Sequence, residues 1–270
     1  MRLPPVCPSC GAFATLRLGG VPPRIVVPPA PQPGAATIEL EDPPRDWKDH
    51  LTQGNKRRRY ALGLEAFNEV VDGGLVADQA VLLAGEPGAG KSTLVLQLIV
   101  KDLRTLYVSS EESAAQVAER AERISPSAVF SLAANTNAQA IVAMVEKADP
   151  ELVIVDSVNQ LVCPGIAGAA GTAGQVRAAT RLLLQACKAR ERRLIVLGQV
   201  NKDGELAGPK QLEHMVDTVI ELGLSDGNPE DRLLRSGKNR FGQSGLSAWL
   251  TMSAAGLSPG RHKKEAAAQG

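Results

Sequence analysis

Through the middle of the chain, short unbroken apolar runs alternate with segments whose apolar residues recur at helical spacing. Val81-Leu82-Leu83-Ala84, Leu152-Val153-Ile154-Val155 and Leu194-Ile195-Val196-Leu197 are such runs. Lacking polar alternation, they predict strands buried on both faces. The spacing predicts helices over Leu62–Val71, Glu112–Ile124, Asn137–Lys147 and Ala173–Arg190, and further strands over Leu103–Ser109 and Ala128–Leu132. Strand and helix in alternation imply an α/β fold, a mostly parallel sheet covered by helices on both faces. Thr218–Glu221, Asp231–Gly237 and Ser247–Met252 follow in hairpin sequence and are expected to extend one edge as antiparallel strands.

The first of the apolar runs ends in Gly85-Glu86-Pro87-Gly88-Ala89-Gly90-Lys91-Ser92, and Thr93 opens an apolar helical segment behind it. Strand, glycine-rich turn and helix are the context a phosphate-binding P-loop requires. The glycines let successive N–H groups converge on a phosphate at a helix N-terminus, whose dipole favours negative charge. Lys91 is then expected to reach the β- and γ-phosphates of ATP, and the Ser92 hydroxyl to hold Mg²⁺.

Three other strand ends carry candidate chemistry. Asp156 closes an apolar strand, the form of a Walker B element, and is expected to face the metal; such a residue is otherwise often a turn former. Glu111 and Glu112 follow the strand ending at Ser109, where either carboxylate has the reach of a base or water-positioning group; Glu112 is taken as the catalytic one, its alternative being a first-turn helix charge. Gln199 ends the strand after Asp156 and is expected to sense the γ-phosphate. Asn201-Lys202-Asp203 misses the N-K-x-D spacing of a guanine site by one residue, which disfavours a GTPase.

Composition narrows the setting. A chain of 270 residues with 44% hydrophobic and 22% charged side chains builds one sizeable core. The net charge of +1 means that any nucleic-acid contact rests on locally gathered basic residues, and 3% aromatics disfavour a base-stacking platform. No apolar run approaches the roughly 20 residues of a membrane span, and the first residues lack the apolar core of a signal peptide. The expectation is a cytoplasmic protein without a membrane partner.

Eleven of the 18 prolines precede residue 45, so the expected organisation is a knuckle-like remnant at 1–11, a Pro-rich linker at 12–59 ending in Lys56-Arg57-Arg58-Arg59, a core domain at 60–253 and a flexible tail at 254–270. Cys7-Pro8-Ser9-Cys10 has the spacing of half a zinc site. Cys163 and Cys187 fall in core segments, so zinc there needs a second chain or other ligands, and the alternative is an unstructured remnant. The Gly- and Ala-rich 163–174 segment and the 201–211 segment, with Lys202 and Lys210, have the composition of loops that order on a ligand; the second is assigned to DNA.

Four strings carry a resemblance: Leu106-Tyr107-Val108-Ser109-Ser110-Glu111-Glu112-Ser113, Lys202-Asp203-Gly204-Glu205-Leu206-Ala207-Gly208-Pro209, Leu212-Glu213-His214-Met215-Val216-Asp217-Thr218 and Lys238-Asn239-Arg240-Phe241-Gly242. From about Tyr60 to Gly245 the chain resembles the RadA (Sms) family of RecA-like bacterial DNA repair ATPases. The resemblance implies a RecA-like P-loop core that uses ATP and Mg²⁺, loads on single-stranded DNA and promotes branch migration, with a recombinase as a further partner. It implies that Lys238 and Arg240 act across a subunit interface in a neighbour's ATP site, and therefore a homo-oligomer, expected to be a hexamer. It places the two DNA-binding loops at 163–174 and 201–211.

Three departures qualify it. Only one of the family's two Cys pairs is present, Gln199 replaces the family's strand-end histidine, and the chain ends without a segment resembling the C-terminal Lon-protease-like domain that supports the ring and binds duplex DNA. The expectation is a DNA-stimulated ATPase motor. A phage-type or DnaB-like helicase is one alternative; an accessory switch that binds ATP and turns over little is the other.

Overall fold

Every residue of β1 (Ala80–Gly85) is buried, and its side chains divide between two cores. Val81 and Leu83 join one apolar cluster, while Ala80, Leu82 and Ala84 join another. Successive strand residues point to opposite faces, so an unbroken apolar run is what a strand needs when both faces are covered. The same division recurs along β4 (Leu152–Asp156), where Leu152 and Ile154 oppose Val153 and Val155. Truncating one such leucine to alanine would cost about 2–5 kcal/mol.

The computed structural model describes residues 58–199, 211–225 and 227–260. The remaining strands among them are β2 (Thr105–Ser109), β3 (Ser131–Ala134), β5 (Arg193–Gln199), β6 (Thr218–Leu224), β7 (Asp231–Asn239), β8 (Ser247–Ser253) and β9 (Gly256–Pro259). The helices are α1 (Glu65–Val70), α2 (Lys91–Leu98), α3 (Ala114–Ile124), α4 (Ala138–Ala148), α5 (Ala173–Lys188) and α6 (Gln211–Met215). One nine-stranded sheet has the order β3-β2-β4-β5-β1-β6-β7-β8-β9. The pairs from β3 through β6 are parallel, and those from β6 to β9 antiparallel. Helices α1, α2 and α3 cover one face with Phe67, Leu94 and Val117; α4, α5 and α6 cover the other with Ile141, Leu183 and Leu212.

The sheet departs from the sequence reading in four places. Strand β6 does not join β1 as an antiparallel hairpin strand: it pairs in parallel, Leu83 beside Ile220, and the antiparallel edge starts only at β7. Strand β3 begins at Ser131 rather than Ala128, because Ala128 closes a turn on Ser125 and pairing with β2 starts at Leu106–Ser131. Helix α6 begins at Gln211, the last residue of the segment read as a loop. The stretch expected as a flexible tail from 254 contains β9, held to α2 by Gln97, whose amide donates to the Leu257 carbonyl at 2.9 Å and whose oxygen accepts from the Leu257 N–H at 2.8 Å.

Candidate nucleotide-binding site

The carboxyl ends of β2, β4, β5 and β1 lie side by side, with Ser109 beside Asp156 and Gln199 beside Gly85. In a parallel sheet this end carries the ligand crevice. Between β1 and α2 the chain turns through Gly90 at φ 103°, a left-handed conformation open to glycine. Gly85 is glycine for another reason: a Cβ there would sit 2.5 Å from the Leu222 carbonyl oxygen of β6. The loop opens on a cavity of about 490 Å³, inside the range of small-molecule sites, about 300–1,000 Å³.

Lys91, the first residue of α2, is buried and donates through Nζ to the carbonyls of Gly85 at 2.7 Å and Glu86 at 2.9 Å. Burial holds its ammonium below the ordinary lysine range, against the pull of Asp156, Glu111 and Glu86. Asp156 is 8% exposed, and burial pushes its carboxyl up; hydrogen bonds from Ser92 and Tyr107 counter that shift. The Tyr107 hydroxyl donates to Asp156 Oδ2 at 2.6 Å.

The two glutamates after β2 have separate engagements. Glu111 Oε1 accepts from the Ser157 hydroxyl and, at 3.2 Å, from Gln199 Nε2, so it joins the ends of β4 and β5. Glu112 forms a two-pronged ion pair with Arg120 of α3, at 2.5 and 2.6 Å, and both line the cavity. The pairing is local in origin: the Ser113–Gln116 capping box fixes the start of α3 and brings Arg120 back over the preceding turn. Ser110 joins β2 to β4, its hydroxyl donating to the Ser157 carbonyl at 2.6 Å and accepting from the Ser157 N–H at 2.9 Å.

Lys238 and Arg240 are not brought to this cavity. Val219 of β6, beside Leu82 of β1, pairs with Lys238, whereas Gly85 lies beside Leu222 and hence Leu234. Three β1 residues, about 10 Å at strand spacing, separate the two levels, and Lys238 and Arg240 lie toward the far end. Lys238 Nζ donates to the carbonyls of Glu213 at 2.6 Å and Val216 at 2.7 Å. Burial, with Arg240 beside it, lowers its pKa. Arg240 is half exposed and lies 3.4 Å from the buried Asp217 carboxylate, which also binds Lys188 at 2.9 Å.

Lys202, Lys210, Cys7 and Cys10 lie outside the described residues. Among the described residues, Cys163 and Cys187 are free and buried, and no group of three or more His, Cys, Asp or Glu is placed to hold a metal ion. No described helix is long and apolar enough to cross a membrane. Sequence reasoning passed over Tyr107, whose hydroxyl sits mid-strand between the apolar Leu106 and Val108, and Arg232, a charge near the start of β7 that is 7% exposed and lines the cavity.

A P-loop at the end of β1, an aspartate closing β4 and a glutamine on the strand between them define a RecA-like P-loop core. The family described as ATPase: KaiC matches residues 61–128. A crystal structure of a KaiC-like protein from Pyrococcus horikoshii superposes with a TM-score of 0.59 at 19% identity, covering 75% of this chain and 98% of that one, a likeness of fold. In sequence the chain is 42% identical to the DNA repair protein RadA of Streptococcus pneumoniae over 203 residues, 74% of this chain and 48% of that protein. The Mycobacterium tuberculosis RadA is 38% identical over 250 residues, 87% and 49% of the two chains, and the Aquifex aeolicus RadA 36% over 255, 93% and 55%. The chain belongs to the RadA/Sms family. It spans about half the length of the curated relatives it matches.

Proposed function

We propose that this chain is the ATP-hydrolysing core of a RadA-type DNA repair protein, cytoplasmic, and that it couples ATP turnover to remodelling on single-stranded DNA. The observation that carries the reading is the convergence of Lys91, Ser92, Asp156, Glu111 and Gln199 on one cavity at the strand ends. The Ser92 hydroxyl bonded to the Asp156 carboxylate is an all-oxygen donor pair suited to a hard cation. Mg²⁺ bound there would neutralise charge on the β- and γ-phosphates.

The chain's own groups divide the remaining work. The loop N–H groups and Lys91 hold the phosphates, the ammonium exchanging its two carbonyl partners for phosphate oxygens. Glu111, oriented by Ser157 and Gln199, positions the attacking water and takes its proton, with Gln199 reporting on the γ-phosphate. Glu112, held by Arg120, anchors the start of α3 instead. Lys238 and Arg240, too far along the sheet to serve their own cavity, are assigned to a neighbour's, where positive charge would stabilise the phosphoryl transition state. That assignment makes the working form an oligomer, with a hexamer as the expected ring. Lys202 and Lys210 are assigned to DNA.

The test is steady-state ATP hydrolysis with and without single-stranded DNA at several protein concentrations. A rate that DNA stimulates, that rises more steeply than protein concentration and that Lys91→Ala abolishes is the expected result; an unchanged rate in Lys91→Ala would overturn the reading. One observation favours a second reading. Because Lys238 is tied to two carbonyls of its own chain, it must be released before it can serve a neighbour, as in an ATP-dependent switch that turns over slowly until a partner assembles it. A low rate indifferent to DNA and concentration would select the switch.

A further inference from the structure

The phosphate loop divides the cavity. Asp156 and Gln199 stand on strands to one side of β1 and Glu111 just past the end of a third, and reaction at the γ-phosphate belongs with them. The other end of a nucleotide must then extend toward β6, β7 and β8. Two cavity-lining side chains stand on that side, Arg232 of β7 and Met252 of β8.

Arg232 is 7% exposed and is held at three points. Its Nε donates to the Ala89 carbonyl of the loop at 2.9 Å, and its Nη1 to the carbonyls of Pro229 at 2.6 Å and Asp231 at 2.9 Å. Its Nη2 makes no hydrogen bond among the described residues. Met252 lies on the loop's last glycine, its Cε 2.3 Å from where a Cβ on Gly90 would stand. No aromatic side chain lines the cavity among the described residues. A planar guanidinium and a polarizable thioether are the groups that replace one, since both pack favourably on a π-face.

We propose that Arg232 and Met252 form the nucleobase wall of this cavity, Met252 packing on the purine and Arg232, latched to the loop, presenting its Nη2 to the base. The inference rests on the nucleotide reading above and adds the part of the ligand that the P-loop does not see.

The test compares two ligands on the full chain by calorimetric titration: ADP, which carries the base, and inorganic pyrophosphate, which does not. Met252→Ala is expected to weaken ADP by about fivefold to tenfold and leave pyrophosphate unchanged, and Arg232→Gln to weaken ADP more than pyrophosphate. Equal losses of both ligands would mean that the two residues act only by shaping the loop, and would overturn the wall. Unchanged ADP affinity in both variants would do the same. Lys91→Ala should weaken both ligands together. A wild-type chain that bound neither ligand would overturn the nucleotide reading itself, an outcome distinct from failure of the wall alone.

Discussion

Tyr107 donates its hydroxyl to Asp156 across the β2–β4 pair, a 2.6 Å bond buried beneath the cavity. The bond favours the ionised aspartate that a cation site needs, against the burial that favours the protonated one. Tyr107→Phe removes the donor and keeps the ring that packs 5.9 Å from Phe130. ATP turnover at limiting Mg²⁺ should fall about tenfold, the worth of one hydrogen bond to a charged group, and recover when Mg²⁺ is raised. Recovery at no Mg²⁺ concentration would count against the assignment.

Burial of Asp156, countered by the same bond, sets a pH dependence. The folded-state pKa of Asp156 is raised, so its protonated form stabilises the fold at pH below the ordinary aspartate value, and that contribution is lost as pH rises through the folded pKa. Activity runs the other way, because it needs the ionised form. In the metal-free chain the carboxyl should therefore titrate above the ordinary aspartate range, and Tyr107→Phe should move that titration higher still. A titration that stays in place in the variant would show that another group sets it.

Glu111 and Glu112 separate by their partners. Glu111→Gln should leave ADP binding intact and lower turnover about a hundredfold or more. Glu112→Gln breaks the Arg120 pair and should cost about 1–2 kcal/mol of stability, read by denaturant titration, with a smaller effect on turnover. The reverse ranking of the two rates would return the catalytic role to Glu112.

Gly85 tests the loop's seat on the sheet. A Cβ at 2.5 Å from the Leu222 oxygen forces β1 and β6 apart, and Gly85→Ala should destabilise the chain by about 1–3 kcal/mol. Because that strain lies at the entrance to the P-loop, nucleotide affinity should fall with it. An unchanged melting temperature would mean that the strand ends yield more freely than their register implies.

How far these sites could be read from sequence depends on the physics that made each one. Unbroken apolar runs such as Leu152–Val155 announce a strand covered on both faces, and the P-loop announces itself because its glycines and Lys91 are consecutive. Pairing direction is different. Nothing in Thr218–Leu224 says that it lies parallel to β1, since pairing direction is set by how the chain returns to the sheet and not by the strand's own pattern. The choice between Glu111 and Glu112 turned on Arg120, eight residues beyond Glu112, which only the capped start of α3 brings back. Arg232 was hidden for the same reason. Its partner Ala89 is 143 residues away, and an arginine near the start of an alternating strand looks like a solvated edge charge until the strand is seen to lie against the loop.

Lys238 and Arg240 lie toward the N-terminal level of β1 while the P-loop lies at the C-terminal level, which is why the pair is assigned to a neighbour's cavity and not to its own. In a head-to-tail ring each cavity would take its loop from one subunit and its basic pair from the next. A Lys91→Ala chain has no working loop but an intact basic pair; a Lys238→Ala chain has the reverse. Each alone should be inactive. Mixed in equal amounts and allowed to reassemble, half the loops are intact and half of those meet an intact basic pair, so about a quarter of wild-type ATP turnover should return. A mixture as inactive as its parents would mean that Lys238 serves its own chain, through the Glu213 and Val216 carbonyls it already holds.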